Sequence, residues 1–158
     1  MTGYHVRTIG LLLCALGCTV AAIADEKNAV DVLLSEARAF NLSTPEKASV
    51  PLAKLQALRD TFTPTQDETY HAVYARYLGF QGRHEERIAL VRSILGQVTS
   101  PVRRAALLYD LLDGNRALGH YDSALQAMNE SIHLLPSLDN SNAKLFVLSG
   151  TVSLLTAM

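Results

Sequence analysis

Few side chains of this chain stand at spacings that could do chemistry, and each is tested by what the chemistry would need. His84-Glu85-Glu86-Arg87 begins like a zinc-binding helix. The second ligand would have to stand four residues on, where Ile88 is found, and one histidine does not hold a catalytic metal. His71, His120 and His133 share no ligand spacing. Asp110 and Asp113 lie one helical turn apart and could act as paired carboxylates, yet no further catalytic group accompanies them, so a solvated helix face is the expectation. Ser123 and Ser131 lack the glycine-flanked elbow of a serine nucleophile, and no glycine-rich phosphate loop is present. The sequence therefore points to a non-catalytic chain without metal or cofactor.

The arginines carry more information. Between positions 76 and 116 lie Arg76, Arg83, Arg87, Arg92, Arg103, Arg104 and Arg116, against Glu85, Glu86, Asp110 and Asp113, a local surplus of three positive charges. Arginine beside aromatic side chains suits carboxylates and peptide ends. For most of these arginines, however, pairing with nearby acids on a solvated surface is the expectation.

The elements that must position them are helices. Val30, Leu33, Leu34 and Ala37 fall on one stripe over residues 28–40. A hydroxyl followed by proline marks three starts, at Thr44-Pro45, Thr63-Pro64 and Ser100-Pro101. Pro51 is expected to kink the second helix or reset its start. Helix spacing continues through Tyr70, Val73, Tyr77 and Leu78, then Ile88, Val91 and Leu95, then Ala105, Leu108 and Leu112. A further stretch carries Tyr121, Ala124, Leu125, Met128 and Ile132 and stops at Pro136. The last helix, expected over 142–158, carries no charge from Leu145 onward. Leu145, Phe146, Leu148, Val152 and Leu155 are expected to leave an apolar face there, open to a missing hairpin or to self-association.

Gly119-His120-Tyr121-Asp122-Ser123-Ala124 reads as the turn of a helical hairpin, and Gly82-Arg83-His84-Glu85-Glu86-Arg87 repeats its grammar 37 residues earlier. Repetition of one supersecondary unit at this spacing is the mark of a solenoid, a fold used mostly for binding.

The amino terminus reads as a leader. Arg7 precedes an uncharged apolar run from Ile9 to Ala24, and Ala22-Ile23-Ala24 offers a small-x-small cleavage site before Asp25. The run of 16 residues is short for a span, which needs about 20. Lipidation at Cys18 is the weaker alternative. Cleavage removes 24 of 158 residues and both cysteines, leaving 134 residues, enough for one domain without disulfides. The remainder carries 13 basic against 15 acidic residues, a balance that argues against a nucleic-acid partner. The expected location is the bacterial periplasm, with no membrane span after the leader.

From Tyr70 to Leu138 the chain resembles tetratricopeptide repeats. Gly119, Tyr121, Ala124 and Pro136 stand at that family's signature positions. In the first hairpin Gly82 fits, His84 replaces the aromatic residue and Arg87 replaces the small one. The period exceeds the family's 34 residues by three. The resemblance implies an all-α, right-handed solenoid of antiparallel hairpins. Its parts would be a leader over 1–24, a helical pair over 25–62 and repeats over 63–158, namely 64–99, 101–138 and an incomplete third over 141–158. It implies a concave groove to which Arg76, Phe80, Tyr109, Asp113 and Arg116 contribute, and a protein or peptide partner. Ala72 and Tyr109 occupy positions where the family's carboxylate clamp keeps lysines. Tyr77-Leu78-Gly79-Phe80-Gln81-Gly82-Arg83 and Ser100-Pro101-Val102-Arg103-Arg104-Ala105, behind a leader, also look like the periplasmic sensor regions of some membrane-bound GGDEF diguanylate cyclases. No GGDEF motif is present, so this implies a sensor region of a longer signalling protein. A free-standing periplasmic adaptor for envelope assembly is the alternative.

Overall fold

The computed structural model describes residues 28–139 and 141–157. The expected leader, residues 1–24, with Cys14, Cys18 and the cleavage before Asp25, lies outside the described residues. Among the described residues there is no strand, and seven α-helices pack together. They are α1 (28–43), α2 (Ser49–Ala57), α3 (Pro64–Phe80), α4 (His84–Leu95), α5 (Pro101–Ala117), α6 (Tyr121–His133) and α7 (Ser141–Leu155). No helix among them is long and apolar enough to cross a membrane.

The hydroxyl-proline starts act unequally. Thr63 makes a full capping box at α3: its Oγ1 accepts from the Gln66 backbone N–H, and Gln66 Oε1 accepts from the Thr63 N–H. Ser100 Oγ accepts from the Arg103 N–H at the start of α5. Thr44 makes no side-chain cap, and what it opens is a 3₁₀ turn, Pro45–Ala48. That turn runs into α2, in whose first turn Pro51 sits buried, so this proline marks a restart rather than a kink. Gly82 and Gly119 end α3 and α5 with φ of 70° and 74°. Both belong to the left-handed region that glycine enters without a Cβ penalty. The following Arg83 and His120 N–H groups donate back to the Leu78 and Asn115 carbonyls at 2.9 Å each.

Two apolar cores meet at α3. The first unites Val30, Leu34 and Ala37 of α1 with Leu52 and Leu55 of α2 and with Tyr70 and Val73 of α3. The second begins at Ala75 of α3 and gathers Ile88 and Val91, Leu107, Leu108, Leu111 and Leu112, Ala124 and Met128, and Leu154 of α7. The odd-numbered helices adjoin in succession: α1 touches α3, α3 touches α5, and α5 touches α7. Between them, α4 packs on α3 and α5, and α6 packs on α5 and α7.

Ala124 is fully buried in the cluster that holds Leu111 and Leu112, so the α5–α6 crossing has a methyl where a larger side chain would collide. Ala124→Leu is expected to cost ~1–3 kcal/mol through overpacking, read as a lower urea midpoint at unchanged slope. An unchanged midpoint would mean that this crossing has slack.

Candidate functional site: a polar junction and a furrow along the odd helices

Arg87 of α4 is 3% exposed. Its guanidinium donates to Asp110 Oδ1 and, at 2.8 Å, to Asp113 Oδ2, both on α5. The room for it comes from Gly79 of α3, where a Cβ would come within 2.7 Å of Arg87 Nη1. Arg116 closes the cluster from its own helix by donating to Asp113 Oδ1 at 2.8 Å. Arg76 of α3 lies 4.0 Å from Asp110 Oδ1 and over the ring of Phe146 in α7 at 5.6 Å. Burial pushes the Asp110 carboxyl above the usual carboxylate range, against the pull of Arg87 and Arg76. Burial also works on Asp113, but there the hydrogen bonds from Arg116 and Arg87 outweigh it and hold the carboxyl low. The two carboxylates are thus tied into a junction between helices, and the expected solvated face is corrected: Asp110 is 2% exposed. The Nε atoms of Arg87 and Arg116 have no hydrogen-bond partner.

Beside this junction a furrow runs between α1, α3 and α5. Three adjoining depressions share Arg38 as a lining residue, and Ala72 and Ala106 line two of them. The one nearest the junction has a volume of about 240 Å³ and is lined by Arg38, Asn41, Val73, Arg76 and Asp110 among others. Arg38 makes no ion pair or hydrogen bond among the described residues, whereas Arg103 is paired with Glu68. Asn41 is buried, and its Nδ2 donates to the Val73 carbonyl at 2.9 Å.

Of the residues expected in the groove, Arg76 alone lines this depression. Phe80 is exposed at the end of α3. Tyr109 faces α7, its ring 4.2 Å from that of Phe146 and against Gly150, where a Cβ would come within 2.8 Å. Asp113 and Arg116 belong to the ionic junction. Among the hairpin positions Ala124 is buried, Tyr121 opens α6 and is exposed, and Pro136 lies in the 3₁₀ turn Leu135–Ser137. Sequence reasoning missed Arg38 and Asn41. The signal was there: Asn41 continues the buried stripe Val30, Leu34, Ala37 at steps of four, three and four, so a polar group had to be buried.

Helix α7 turns Leu145, Leu148, Val152 and Leu155 outward, all exposed. Phe146 is corrected out of this stripe, because at its position on the helix it packs on Tyr109 and under Arg76. Val147 and Leu154 form the buried side.

His71 is buried as well. Its Nδ1 lies 3.4 Å from Asp67 Oδ2 and its Nε2 2.9 Å from Arg59 Nη2. Arginine only donates, so Nε2 is the acceptor and the ring is neutral with its proton on Nδ1. Burial lowers its pKa, Asp67 resists, and Arg59 adds to the lowering. Among the described residues no group of three or more His, Cys, Asp or Glu side chains converges as a metal site.

Two outcomes follow. Arg87→Ala leaves Asp110 buried without its partner and is expected to lower the unfolding free energy by about 3–5 kcal/mol in urea denaturation; a loss near zero would show that the junction is not formed. For His71, the unfolded chain takes up a proton near the ordinary value of about 6.5 while the folded chain resists it. Its stability contribution is therefore complete above that pH and is lost as pH falls through the lowered folded value. The urea midpoint should drop between pH 7.5 and pH 5, and His71→Gln should flatten that drop; an equal drop in both proteins would contradict the neutral-ring geometry.

Comparison with protein-family models, with curated proteins and with solved structures gives no match.

Proposed function

We propose that this chain is a non-catalytic binding module, a tetratricopeptide-like right-handed solenoid whose inner row is α1, α3, α5 and α7, with the furrow as its recognition surface. The observation that carries this reading is the succession of odd helices, each against the next, with the furrow running along three of them. Small side chains at Ala72 and Ala106 and the unpaired Arg38 make it suited to an extended protein or peptide segment bearing carboxylates. The carboxylates that could do acid–base work, Asp110 and Asp113, are engaged by arginines instead, which supports binding over catalysis.

The apolar leader pattern supports export to the periplasm. The outward stripe Leu145, Leu148, Val152 and Leu155 supports a row that continues, a further helical hairpin covering it, as in the sensor part of a longer membrane signalling protein of the diguanylate cyclase kind.

A displayed library of short peptides tests the furrow. The wild-type chain should enrich carboxylate-bearing sequences, and Ala106→Trp, which fills two of the depressions, should lose them while keeping its helical circular dichroism. Enriched peptides that bind the filled variant equally well, or no enrichment at all, would overturn the reading.

A further inference from the structure

Two neighbouring depressions of the furrow differ in chemistry and lie one helical turn apart. The first, about 190 Å³, has Val98, Val102, Ala106 and Leu107 in its walls. Glu68 and Arg103 at its edge are paired with each other, so they leave it an apolar cup. Val102 is 43% exposed and offers that cup a side chain that a ligand can reach. The second is the depression beside the ionic junction, bordered by Arg38 of α1 and Arg76 of α3. Arg38 is exposed and has no partner among the described residues. The Arg76 side chain is 33% exposed, and its nearest carboxylate oxygen, Asp110 Oδ1, lies at the long distance of 4.0 Å. Asp110 itself is buried and engaged by Arg87 of α4, so its charge is met from behind. Two guanidinium groups thus face this depression with no free acid in its lining. A carboxylate is the group that such forks complement.

The spacing of the two is set by the helices. Both depressions share Arg38, Ala72 and Ala106. From the apolar cup to the arginine-lined one, the lining moves from Glu68 to Arg76 along α3 and from Val102 to Asp110 along α5, with the shared alanines midway. The centres are therefore offset by about one turn, roughly 5.4 Å along the axis. An extended chain brings every second side chain to the same face, about 6.6 Å apart. A segment crossing the helices obliquely matches the two steps. The methyls of Ala72 and Ala106, between the depressions, leave room for its backbone.

We propose that the furrow binds an extended protein segment carrying an aliphatic side chain and, two residues from it, an Asp or Glu. The aliphatic side chain enters the cup between Val98, Val102 and Leu107, and the carboxylate lies between Arg38 and Arg76. The proposal rests on the binding-module reading and adds the pattern that the furrow selects. An exposed ion pair by itself contributes little. The apolar cup by itself would take any aliphatic side chain. Held at a fixed separation, the two together select one pattern from many acidic segments.

The test is fluorescence polarisation of the full chain with short labelled peptides, capped at both ends by acetyl and amide groups. In each, Leu and Glu stand two apart on a Gly/Ser background, and both orders are made. At least one order should bind with micromolar to millimolar affinity. Changing its Glu to Gln, its Leu to Ser, or setting the two side by side should each weaken binding about tenfold, a loss of about 1.4 kcal/mol. Arg38→Ala, at an exposed and unpaired side chain, should erase the preference for Glu over Gln and keep that for Leu over Ser. Val102→Ser should do the reverse, a crossing of effects that misfolding does not produce. No binding of either order, or a preference for Glu that survives Arg38→Ala, overturns the proposal. Binding that requires a free terminal carboxylate overturns it too, as does self-association of the chain that Arg38→Ala abolishes, since a second copy would then be the occupant. If displayed carboxylate-bearing peptides are enriched and lost on Ala106→Trp but lack this spacing, the binding-module reading stands and this inference alone falls. Loss of both removes the reading itself.

Discussion

A guanidinium buried between helices needs its charge met on every side, and that demand sets the middle of this molecule. Arg87 reaches from α4 to two carboxylates on α5 and does so through the notch left by Gly79 on α3. Three helices are thereby fixed at one point. An arginine with one carboxylate would leave the second acid or its own donors unserved, and desolvation would dominate. With Asp110 and Asp113 one turn apart and Arg116 behind them, the cluster balances well enough to persist in the interior. The unpartnered Nε atoms mark where it does not balance fully.

The consequences spread outward by contact. Asp110 also draws Arg76, and Arg76 lies over Phe146, which packs on Tyr109. The seating of α7 against α5 thus connects to the same junction, eased by Gly150 beside the Tyr109 ring. On the other side Arg76 and Asp110 form part of the lining of the depression that Arg38 and Asn41 close from α1. One polar cluster therefore ties the two halves of the chain, α1–α3 and α4–α7, to one furrow.

Much of the helical framework was legible in the sequence because its signals are local. The hydroxyl-proline pairs at Thr63 and Ser100, the left-handed glycines at positions 82 and 119, and the stripes at steps of three and four each act within a turn or two. Thr44 shows the limit, since the same dipeptide gives only a 3₁₀ turn when Pro51 restarts the helix a few residues on. The site was less legible because its pairs span long separations. Arg87 stood out at a position where the hairpin pattern asks for a small residue, but nothing local tells that Asp110 and Asp113, more than twenty residues later, would receive it. The face of Tyr109 looked open for the same reason: what covers it is Phe146 on another helix. Polar residues lying on or beside otherwise apolar stripes, Asn41, Arg87 and Asp110, were the transferable signal, and each proved to be part of the junction or of the depression next to it.

The account stands or falls on whether Arg87 and Asp110 act as one unit in the interior. A double-mutant cycle with Arg87→Met, Asp110→Leu and the pair together, read by urea denaturation, measures that directly. The account predicts that each single change is severe and that the double variant is no less stable than either single one, because two matched apolar side chains no longer need each other's charge, so the coupling is at least as large as one single loss, about 3 kcal/mol or more. Additive losses, with the double variant as unstable as the sum of the two, would contradict it.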